Sequence, residues 1–309
     1  MIKLRTAASG PDLAGLTIES RIVELVSSGS VEMSPRDTDQ ITEAAAFLPA
    51  NMRVYVNALP GRLHYATLRA MEALRDEGLD PVPHIAARRL ESRAALEEFV
   101  QGAVHAGAHR VLLIGGDQTE PVGPYDSSIN VLEEEVLTKY NVREVGFAGY
   151  PEGHPRIAQS VLDETLSEKI ALASAQGLDI SILTQFSFFP VRIAEYCAQM
   201  GRTHPELPLY VGMAGPTSTK ALLRYAQRCG VSASLRALSG MGVAAAKRVT
   251  HSDPMEQLAA LAHHCEGGGT GNVVGAHFYS FGGFANTARF INSIIAKASP
   301  AVPQDPQHG

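Results

Sequence analysis

The chain has 309 residues, of which 45% are hydrophobic and 19% charged, and its formal net charge is −6. This length suffices for one large α/β barrel or for two ordinary domains with sizeable cores. The acidic balance and the lack of a basic stripe argue against nucleic acid and anionic membranes as partners. We therefore expect a protein that handles a small molecule.

Cysteine usage and the N-terminal segment exclude further classes of protein. Cys197, Cys229 and Cys265 are widely separated and form no CxxC pair, which argues against a disulfide framework and a structural zinc site. Met1 to Gly10 lacks the apolar core of a signal peptide, and no run approaches the roughly 18 apolar residues of a membrane span. A cytoplasmic location is the expectation.

Apolar runs of strand length alternate with amphipathic helical patterns along the whole chain. The predicted strands are Gly29–Met33, Arg53–Ala58, Val82–Ala86, Arg110–Ile114, Val145–Ala148, Ser181–Phe186, Leu209–Met213 and Ala276–Phe281. The predicted helices are Thr38–Ala46, Tyr65–Glu77, Arg93–Ala106, Asp163–Ala175, Arg192–Met200, Thr219–Gln227 and Pro254–His264. Buried strands that alternate with helices indicate a parallel sheet. A closed (β/α)8 barrel is favoured over an open doubly wound sheet, because no GxGxxG follows the first strand.

The pattern predicts one domain, an α/β TIM barrel over residues 15–298. An N-terminal extension at 1–14 precedes it, and a flexible tail at 299–309, rich in proline and polar residues, follows it. The longest gap between predicted strands contains the run Gly267-Gly268-Gly269. This run is either a lid or, more commonly, a spacer.

Polar residues recur in or directly after the predicted strands. They are Glu32, Asn57, His84, Asp117, Tyr150, Gln185 and Tyr279. Each has a structural explanation when taken alone, such as pairing of Glu32 with Arg36 or capping by Asp117. In a barrel, however, the carboxyl ends of all strands converge on one mouth. Together these residues predict a site for acid–base chemistry and for orienting a planar polar ligand.

Other kinds of site fit the sequence less well. His263-His264-Cys265 lies at a helix end, where adjacent side chains point in different directions, so no metal site is predicted. No GxSxG or activated-cysteine context indicates a nucleophile. No predicted strand carries the lysine that a Schiff-base lyase needs.

Five short motifs, among them Tyr150-Pro151-Glu152-Gly153-His154-Pro155 and Thr184-Gln185-Phe186, resemble in order those of methylenetetrahydrofolate reductases. Ser30-Val31-Glu32-Met33-Ser34-Pro35-Arg36 resembles their first-strand region, shortened by one residue, and Gly116-Asp117 resembles their fourth-strand pair. Tyr150-Pro151-Glu152-Gly153-His154-Pro155 is similar to their Tyr-Pro-Glu-x-His-Pro turn. Thr184-Gln185-Phe186 and His277-Phe278-Tyr279 resemble their Thr-Gln-Phe and His-Phe-Tyr. The combination is specific, whereas Gly-Asp alone would be weak.

The resemblance implies an oxidoreductase that interconverts 5,10-methylenetetrahydrofolate and 5-methyltetrahydrofolate, with hydride from NAD(P)H through FAD or directly. It implies that Glu32 is the general acid that opens the imidazolidine ring and that Asp117 faces the pterin edge and the redox centre. Gln185, Asp117 and Tyr279 would bind the folate. The implied flavin contacts are His84, Tyr150, His154, Asp163 and Lys169.

The chain departs from the family pattern in three places. Gly115 stands where the family commonly has Arg, and Gly282-Gly283 stands where an Asn-Arg pair usually contacts the folate. The helix after the His-Pro turn carries Leu166 and Glu168 in the region that grips the flavin diphosphate, which leaves Lys169 as the useful cation. Direct hydride transfer from NAD(P)H is therefore an alternative to transfer through FAD.

The sequence leaves two alternatives to this enzyme open. One is a non-catalytic folate-binding or partner subunit that kept the pterin site and lost the redox site. The other is an unrelated barrel enzyme, such as a lyase or a methyltransferase with folate as acceptor. A homo-oligomer is equally open, because barrels often associate through exposed helices.

Overall fold

A computed structural model describes residues 17–59, 64–187, 189–217, 225, 254–266 and 272–298. Its parallel strands close into a barrel in the order β1 to β8, which confirms the predicted fold class. The strands are β1 (Ser30–Met33), β2 (Arg53–Val56), β3 (Asp80–Ala86), β4 (Arg110–Ile114), β5 (Glu144–Gly149), β6 (Asp179–Thr184), β7 (Leu209–Ala214) and β8 (Val273–Tyr279). Since β1 pairs with both β2 and β8, the sheet has no free edge.

Helices surround the barrel. Those within the described residues are α1 (Ile18–Ser27), α2 (Ile41–Ala45), α3 (His64–Asp76), α4 (Arg93–His105), α5 (Ser128–Glu133), α6 (Val136–Lys139), α7 (Gln159–Ala175), α8 (Pro190–Thr203), α9 (Pro254–Glu266) and α10 (Phe284–Ala298). Short 3-10 helices, Pro35–Gln40 and Ala87–Arg89, follow β1 and β3. None of the helices in the described ranges is long and apolar enough to cross a membrane.

Some sequence predictions fall outside the described residues. They are the extension at 1–14, the helix Thr219–Gln227 apart from Tyr225, the run Gly267-Gly268-Gly269 and the tail at 299–309. Cys229 also lies outside them. The barrel boundaries at 15 and 298 stay predictions.

Strand residues alternate between the two faces of the barrel wall. Val31, Val54, Leu113 and Phe147 are fully buried in the layer between sheet and helices. A second cluster fills the interior and consists of Tyr55, Val82, Leu112, Leu183, Tyr210 and Val274. This period of two follows from the strand backbone, in which successive side chains point to opposite faces.

An ionic network closes the N-terminal end of the barrel interior. The carboxylate of Glu144 accepts hydrogen bonds from Arg53 at 3.0 and 3.2 Å, from Arg110 at 2.8 Å and from the hydroxyl of Ser181 at 2.9 Å. Arg110 also binds Asp80. Because charges buried in this way are tolerated only when paired, the network is a structural plug. Chemistry is therefore expected at the opposite end, where the strands terminate.

Candidate active site

Glu32, on β1, occupies the centre of a polar group inside the mouth of the barrel. Its Oε1 accepts a hydrogen bond from Nδ2 of Asn57 at 3.4 Å, and its Oε2 lies 3.5 Å from Nε2 of His84. The side chains of Glu32 and His84 are only 17% and 8% exposed. Strand register also sets Glu32 beside Tyr279 of β8. The barrel thus brings together predicted site residues from four strands or strand ends.

Burial determines the protonation of this group. It raises the pKa of Glu32 to about 7, against a smaller lowering effect of the hydrogen bond from Asn57. Burial also lowers the pKa of His84 to about 3, so its imidazole is neutral near pH 7. The neighbouring His84 therefore places no positive charge beside Glu32, and the Glu32 carboxyl can carry a proton near neutral pH. That is the property a general acid requires.

A second buried histidine supports the same layer. His277 of β8 is fully buried, and its Nδ1 lies 2.8 Å from Oγ of Ser30. Its ring meets that of Tyr55 edge-on, with centroids 5.0 Å apart. Within the described part of the chain, Nε2 of His84 and Oδ1 of Asn57 are buried without a hydrogen-bond partner. Unsatisfied buried polar atoms at a strand end are expected to serve a ligand.

Asp117 lies on the rim of the mouth, where Arg89 holds it. Gly116, just before it, has a φ of +98°, a conformation that favours glycine. The side chain of Asp117 is 70% exposed and is bound by the guanidinium of Arg89, which is only 14% exposed. Arg89 also donates to the carbonyl of Ala58 at 2.8 Å. The sequence pattern does not predict Arg89, although two adjacent arginines directly after a strand are a usable signal.

Gln185 and Tyr279 are brought to adjoining strand ends. The hydroxyl of Tyr279 donates to the carbonyl of Thr184 at 3.0 Å. The backbone N–H of Gln185 donates to the carbonyl of Gly149 at 2.8 Å, and its side-chain oxygen accepts from the N–H of Phe186 at 3.1 Å. These bonds tie together the ends of β5, β6 and β8, so the two predicted folate contacts share one side of the mouth.

An aromatic cluster beside Tyr279 is absent from the sequence prediction. The ring of Phe281 stacks on Tyr225 and Tyr279 at centroid distances of 4.7 and 6.1 Å, and Phe186 meets Tyr279 and Phe281 edge-on. Phe281 has a φ of +51°, a left-handed conformation that costs a non-glycine residue roughly 1 kcal/mol or more. The chain leaves the sheet here, so β8 ends at Tyr279 and not at Phe281 as predicted.

Tyr150 and His154 project from the turn that follows β5. Their rings meet edge-on with centroids 5.3 Å apart. Burial raises the pKa of Tyr150, and burial followed by the charge of Arg156 lowers the pKa of His154. The hydroxyl of Ser187 donates to Glu152 at 2.6 Å, which joins this turn to the segment after β6. The turn therefore holds a phenol beside an imidazole whose neutral form is favoured.

Asp163 and Lys169 do not join this group. Asp163 lies on the exposed side of α7 and accepts a hydrogen bond from Gln159 at 2.9 Å. Lys169 is 9% exposed, and its Nζ lies 4.9 Å from the centroid of Phe147, on the outer face of β5. Burial lowers the pKa of Lys169 to about 8. Its ammonium is therefore directed into the layer between sheet and helix.

The residues of α7 do not fit the diphosphate of FAD. Lys169 is the helix's one cation, and it is occupied beneath the strand. Leu166 packs against the core, and Glu168 is an exposed acid that would repel phosphate. Tyr150, His154 and His84 remain as possible ring contacts. The described residues contain no group of three or more His, Cys, Asp or Glu side chains that could hold a metal ion.

Comparison with known proteins identifies the family of the chain. The family model for methylenetetrahydrofolate reductase matches residues 31–291. Methylenetetrahydrofolate reductase 2 of Saccharomyces cerevisiae is 28% identical over 200 residues, which cover 61% of this chain and 32% of that protein. The chain thus spans about a third of the length of this relative.

A solved structure from Burkholderia cenocepacia J2315, assigned as a phosphonomutase, superposes with a TM-score of 0.51 at 12% identity. The superposition covers 91% of this chain and 98% of the other, and at this identity the likeness concerns the fold alone. The family match spans strands β1 to β8, and Glu32, Asp117, Tyr150, Gln185 and Tyr279 all lie within it. The chain therefore belongs to the methylenetetrahydrofolate reductase family.

Proposed function

We propose that the protein interconverts 5,10-methylenetetrahydrofolate and 5-methyltetrahydrofolate, with NAD(P)H as the hydride donor. The observation that carries this proposal is the carboxyl of Glu32, whose pKa is raised by burial to about 7 beside the neutral imidazole of His84. Family membership supplies the substrate class. The strand-end side chains of this chain supply groups suited to the chemistry.

In the reductive direction, Glu32 donates its proton to N10 of the folate as the bond between N10 and the methylene carbon breaks. The electron pair of that bond stays on N10, and the methylene carbon becomes an iminium carbon on N5. Hydride from C4 of the reduced nicotinamide then adds to this carbon and forms the methyl group. One proton and one hydride are consumed, and oxidised nicotinamide is released.

Gln185, Asp117 and Tyr279 are assigned to folate binding. An amide and a carboxylate together match the donor and acceptor edge of a pterin. Tyr279, with the rings of Phe186 and Phe281 packed around it, offers an apolar wall for a flat ring. These groups would hold the methylene carbon in place while Glu32 delivers its proton.

Direct hydride transfer from NAD(P)H is favoured over transfer through FAD. The reason is the poor fit of α7 to a diphosphate, with Lys169 occupied beneath Phe147. His84, Tyr150 and His154, predicted as flavin contacts, are then available to the nicotinamide. A flavin would otherwise supply a relay that accepts hydride from the nicotinamide and passes it on.

The test is an assay of NAD(P)H-dependent reduction of methylenetetrahydrofolate by the purified protein, with and without added FAD. We expect turnover without FAD and a loss of at least about a hundredfold in Glu32→Gln. Glu164→Gln, an exposed change on α7, is the matched control and should retain the rate. A fully active Glu32→Gln protein would overturn the mechanism. A protein that carries stoichiometric yellow flavin and requires it would overturn direct transfer.

A non-catalytic folate-binding protein is the second candidate. The same observation on α7 favours it, because a chain that lost its redox cofactor would also lose the residues that grip the diphosphate. Tight binding of 5-methyltetrahydrofolate with no turnover under any nicotinamide or flavin condition would select this candidate.

A further inference from the structure

Arg89 links the two carboxyl groups that the proposed mechanism uses. On one side, Glu32 is bound by Asn57, and the next residue, Ala58, accepts a hydrogen bond from Nη1 of Arg89 at 2.8 Å. On the other side, Nη2 of Arg89 binds Oδ1 of Asp117. We propose that Arg89 is a positioning residue that fixes Asp117 relative to Glu32 at the mouth. The inference rests on the proposed function for the nature of the ligand.

The contrast in burial identifies Arg89 as the rigid member of the pair. Its side chain is 14% exposed, whereas that of Asp117 is 70% exposed. A guanidinium is a planar fork, so bonds from two different nitrogens fix its plane as well as its position. Burial and the bond to Ala58 restrict the guanidinium of Arg89, and the bond to Asp117 completes its orientation.

Within the described residues, the side-chain partner of Asp117 is Arg89. Two glycines precede Asp117, and a Cβ added to Gly115 would meet nothing within 4 Å. The φ of Gly116 is +98°, and the N–H of Arg88 donates to the carbonyl of Gly115 at 2.9 Å, so the backbone of the turn is held while the carboxylate projects from it. An exposed carboxylate on such a turn would sample several rotamers in water. The bond from Arg89 selects one of them before the ligand arrives.

The same bond leaves part of the carboxylate for the ligand. Arg89 occupies Oδ1 of Asp117, and the remainder of this largely exposed group is accessible to a donor. The positive charge of Arg89 also offsets the negative charge of Asp117, which keeps a bare carboxylate from repelling an anionic cofactor near the mouth. The pair is thus suited to orient the pterin through hydrogen bonds with little net charge.

The neighbouring Arg88 provides a matched control. Its guanidinium donates to the backbone carbonyls of Thr119 at 2.8 Å and Asp126 at 3.1 Å. Arg88 therefore supports the same loop by binding the loop's backbone carbonyls, and these hydrogen bonds do not involve the carboxylate of Asp117. A role in loop stability alone would make Arg88 and Arg89 behave alike.

The experiment is a double-mutant cycle with Arg89→Gln, Asp117→Asn and the double variant. Affinity for 5-methyltetrahydrofolate is measured by calorimetry, which needs no turnover. We expect Arg89→Gln to weaken binding about three- to tenfold in the wild-type background, the cost of ordering a free side chain. In the Asp117→Asn background it should weaken binding less than about twofold. Arg88→Gln should have the same effect in both backgrounds.

Kinetic constants distinguish a positioning role from a merely structural one, because a structural role would not change the KM of one substrate alone. Arg89→Gln should raise KM for the folate and leave KM for NAD(P)H within about twofold. Arg89→Lys should be intermediate, because one ammonium cannot bridge the two acceptors in a plane. Equal losses of affinity from Arg89→Gln in the two backgrounds would overturn the inference, as would wild-type behaviour of Arg89→Lys.

A second cycle on the melting temperatures of the same proteins separates this inference from the proposed function. If the wild-type chain does not bind 5-methyltetrahydrofolate, the proposed function fails. The melting cycle still decides the pairing in that case. A shift in the double variant that is smaller than the sum of the single shifts supports it, and additive shifts overturn it.

Discussion

Oε2 of Glu32 lies 3.5 Å from Nε2 of His84, and the histidine at this distance is neutral. A protonated imidazole in that position would hold Glu32 as a carboxylate and lower its pKa. A buried neutral imidazole leaves desolvation as the main influence, and the pKa of Glu32 rises to about 7. The pair therefore keeps a proton on the carboxyl where a solvated glutamate would have lost it.

The first prediction concerns the pH dependence of turnover. The proposed mechanism needs protonated Glu32, so kcat/KM for methylenetetrahydrofolate reduction should be highest below pH 7 and fall as the pH rises through about 7. Steady-state assays between pH 5.5 and about 9 would show this limb. In Glu32→Gln the residual rate should lack it. A limb unchanged in Glu32→Gln would assign the titration to another group.

The second prediction concerns stability. The unfolded chain ionises Glu32 near its ordinary pKa of 4.5, and the folded chain ionises it near 7. Between these values the folded state binds more protons, so this group's contribution is fully present below pH 4.5 and is lost as the pH rises to about 7. The loss amounts to roughly 3–4 kcal/mol, at about 1.4 kcal/mol per pKa unit.

Glu32→Gln lacks this titration. The free energy of unfolding of the variant minus that of the wild type should therefore rise by about 3 kcal/mol between pH 4.5 and pH 8. Urea unfolding at several pH values measures the difference, with Glu164→Gln as the exposed control. A constant difference across the range would contradict the raised pKa.

The third prediction concerns the plug at the N-terminal end of the barrel. Glu144→Gln removes the carboxylate that pairs with Arg53 and Arg110, which leaves Asp80 alone to offset two partly buried positive charges. We expect a loss of about 3–5 kcal/mol in the free energy of unfolding. The fraction that folds should keep its KM for both substrates, since the plug lies opposite the mouth. Ser181→Ala, which removes one hydrogen bond to Glu144, should cost about 1 kcal/mol.

The fourth prediction separates a flavin contact from a structural lysine. Lys169→Met replaces a buried cation with an apolar side chain of similar length. If Lys169 serves only the packing of α7 on β5, the variant should keep kcat and the KM for NAD(P)H within about twofold. Its free energy of unfolding should fall by no more than about 1–2 kcal/mol, the contribution of one cation–π contact. A large rise in the requirement for FAD would restore Lys169 as a phosphate contact.

The strands were predictable because parallel strands buried on both faces are apolar runs. The eight runs match β1 to β8 with end shifts of one to three residues at most positions, and the eighth strand begins at Val273, three residues earlier than predicted. Helices α1, α5, α6 and α10 were not predicted. Helices α5 and α6 span only six and four residues, too few for a periodic pattern. Helices α1 and α10 lie outside the segments between strands, and α10 carries Asn286, Thr287, Asn292 and Ser293, which have modest helix propensity.

The site was partly predictable, for a reason of topology. Glu32, Asp117 and Gln185 follow from the rule that strand ends meet at one mouth. This rule does not predict Arg89 as the partner of Asp117. The position of the turn after β3 depends on loop geometry, which the strand pattern does not give. Lys169 was misleading although the pattern held a signal: Leu166, Lys169 and Ala173 recur at three- and four-residue spacing, which marks the side of α7 that faces the sheet.

Within the described residues, the paired charges of Arg53, Glu144 and Arg110 close the N-terminal end of the barrel interior and leave access from the mouth at the other end. In a direct reaction, the folate and NAD(P)H would then both enter and leave through the mouth, and the one bound nearer the opening would block the other. The folate and the nicotinamide would have to lie face to face in one chamber for hydride to cross. The order in which they arrive and depart becomes part of catalysis, set by which of them lies deeper.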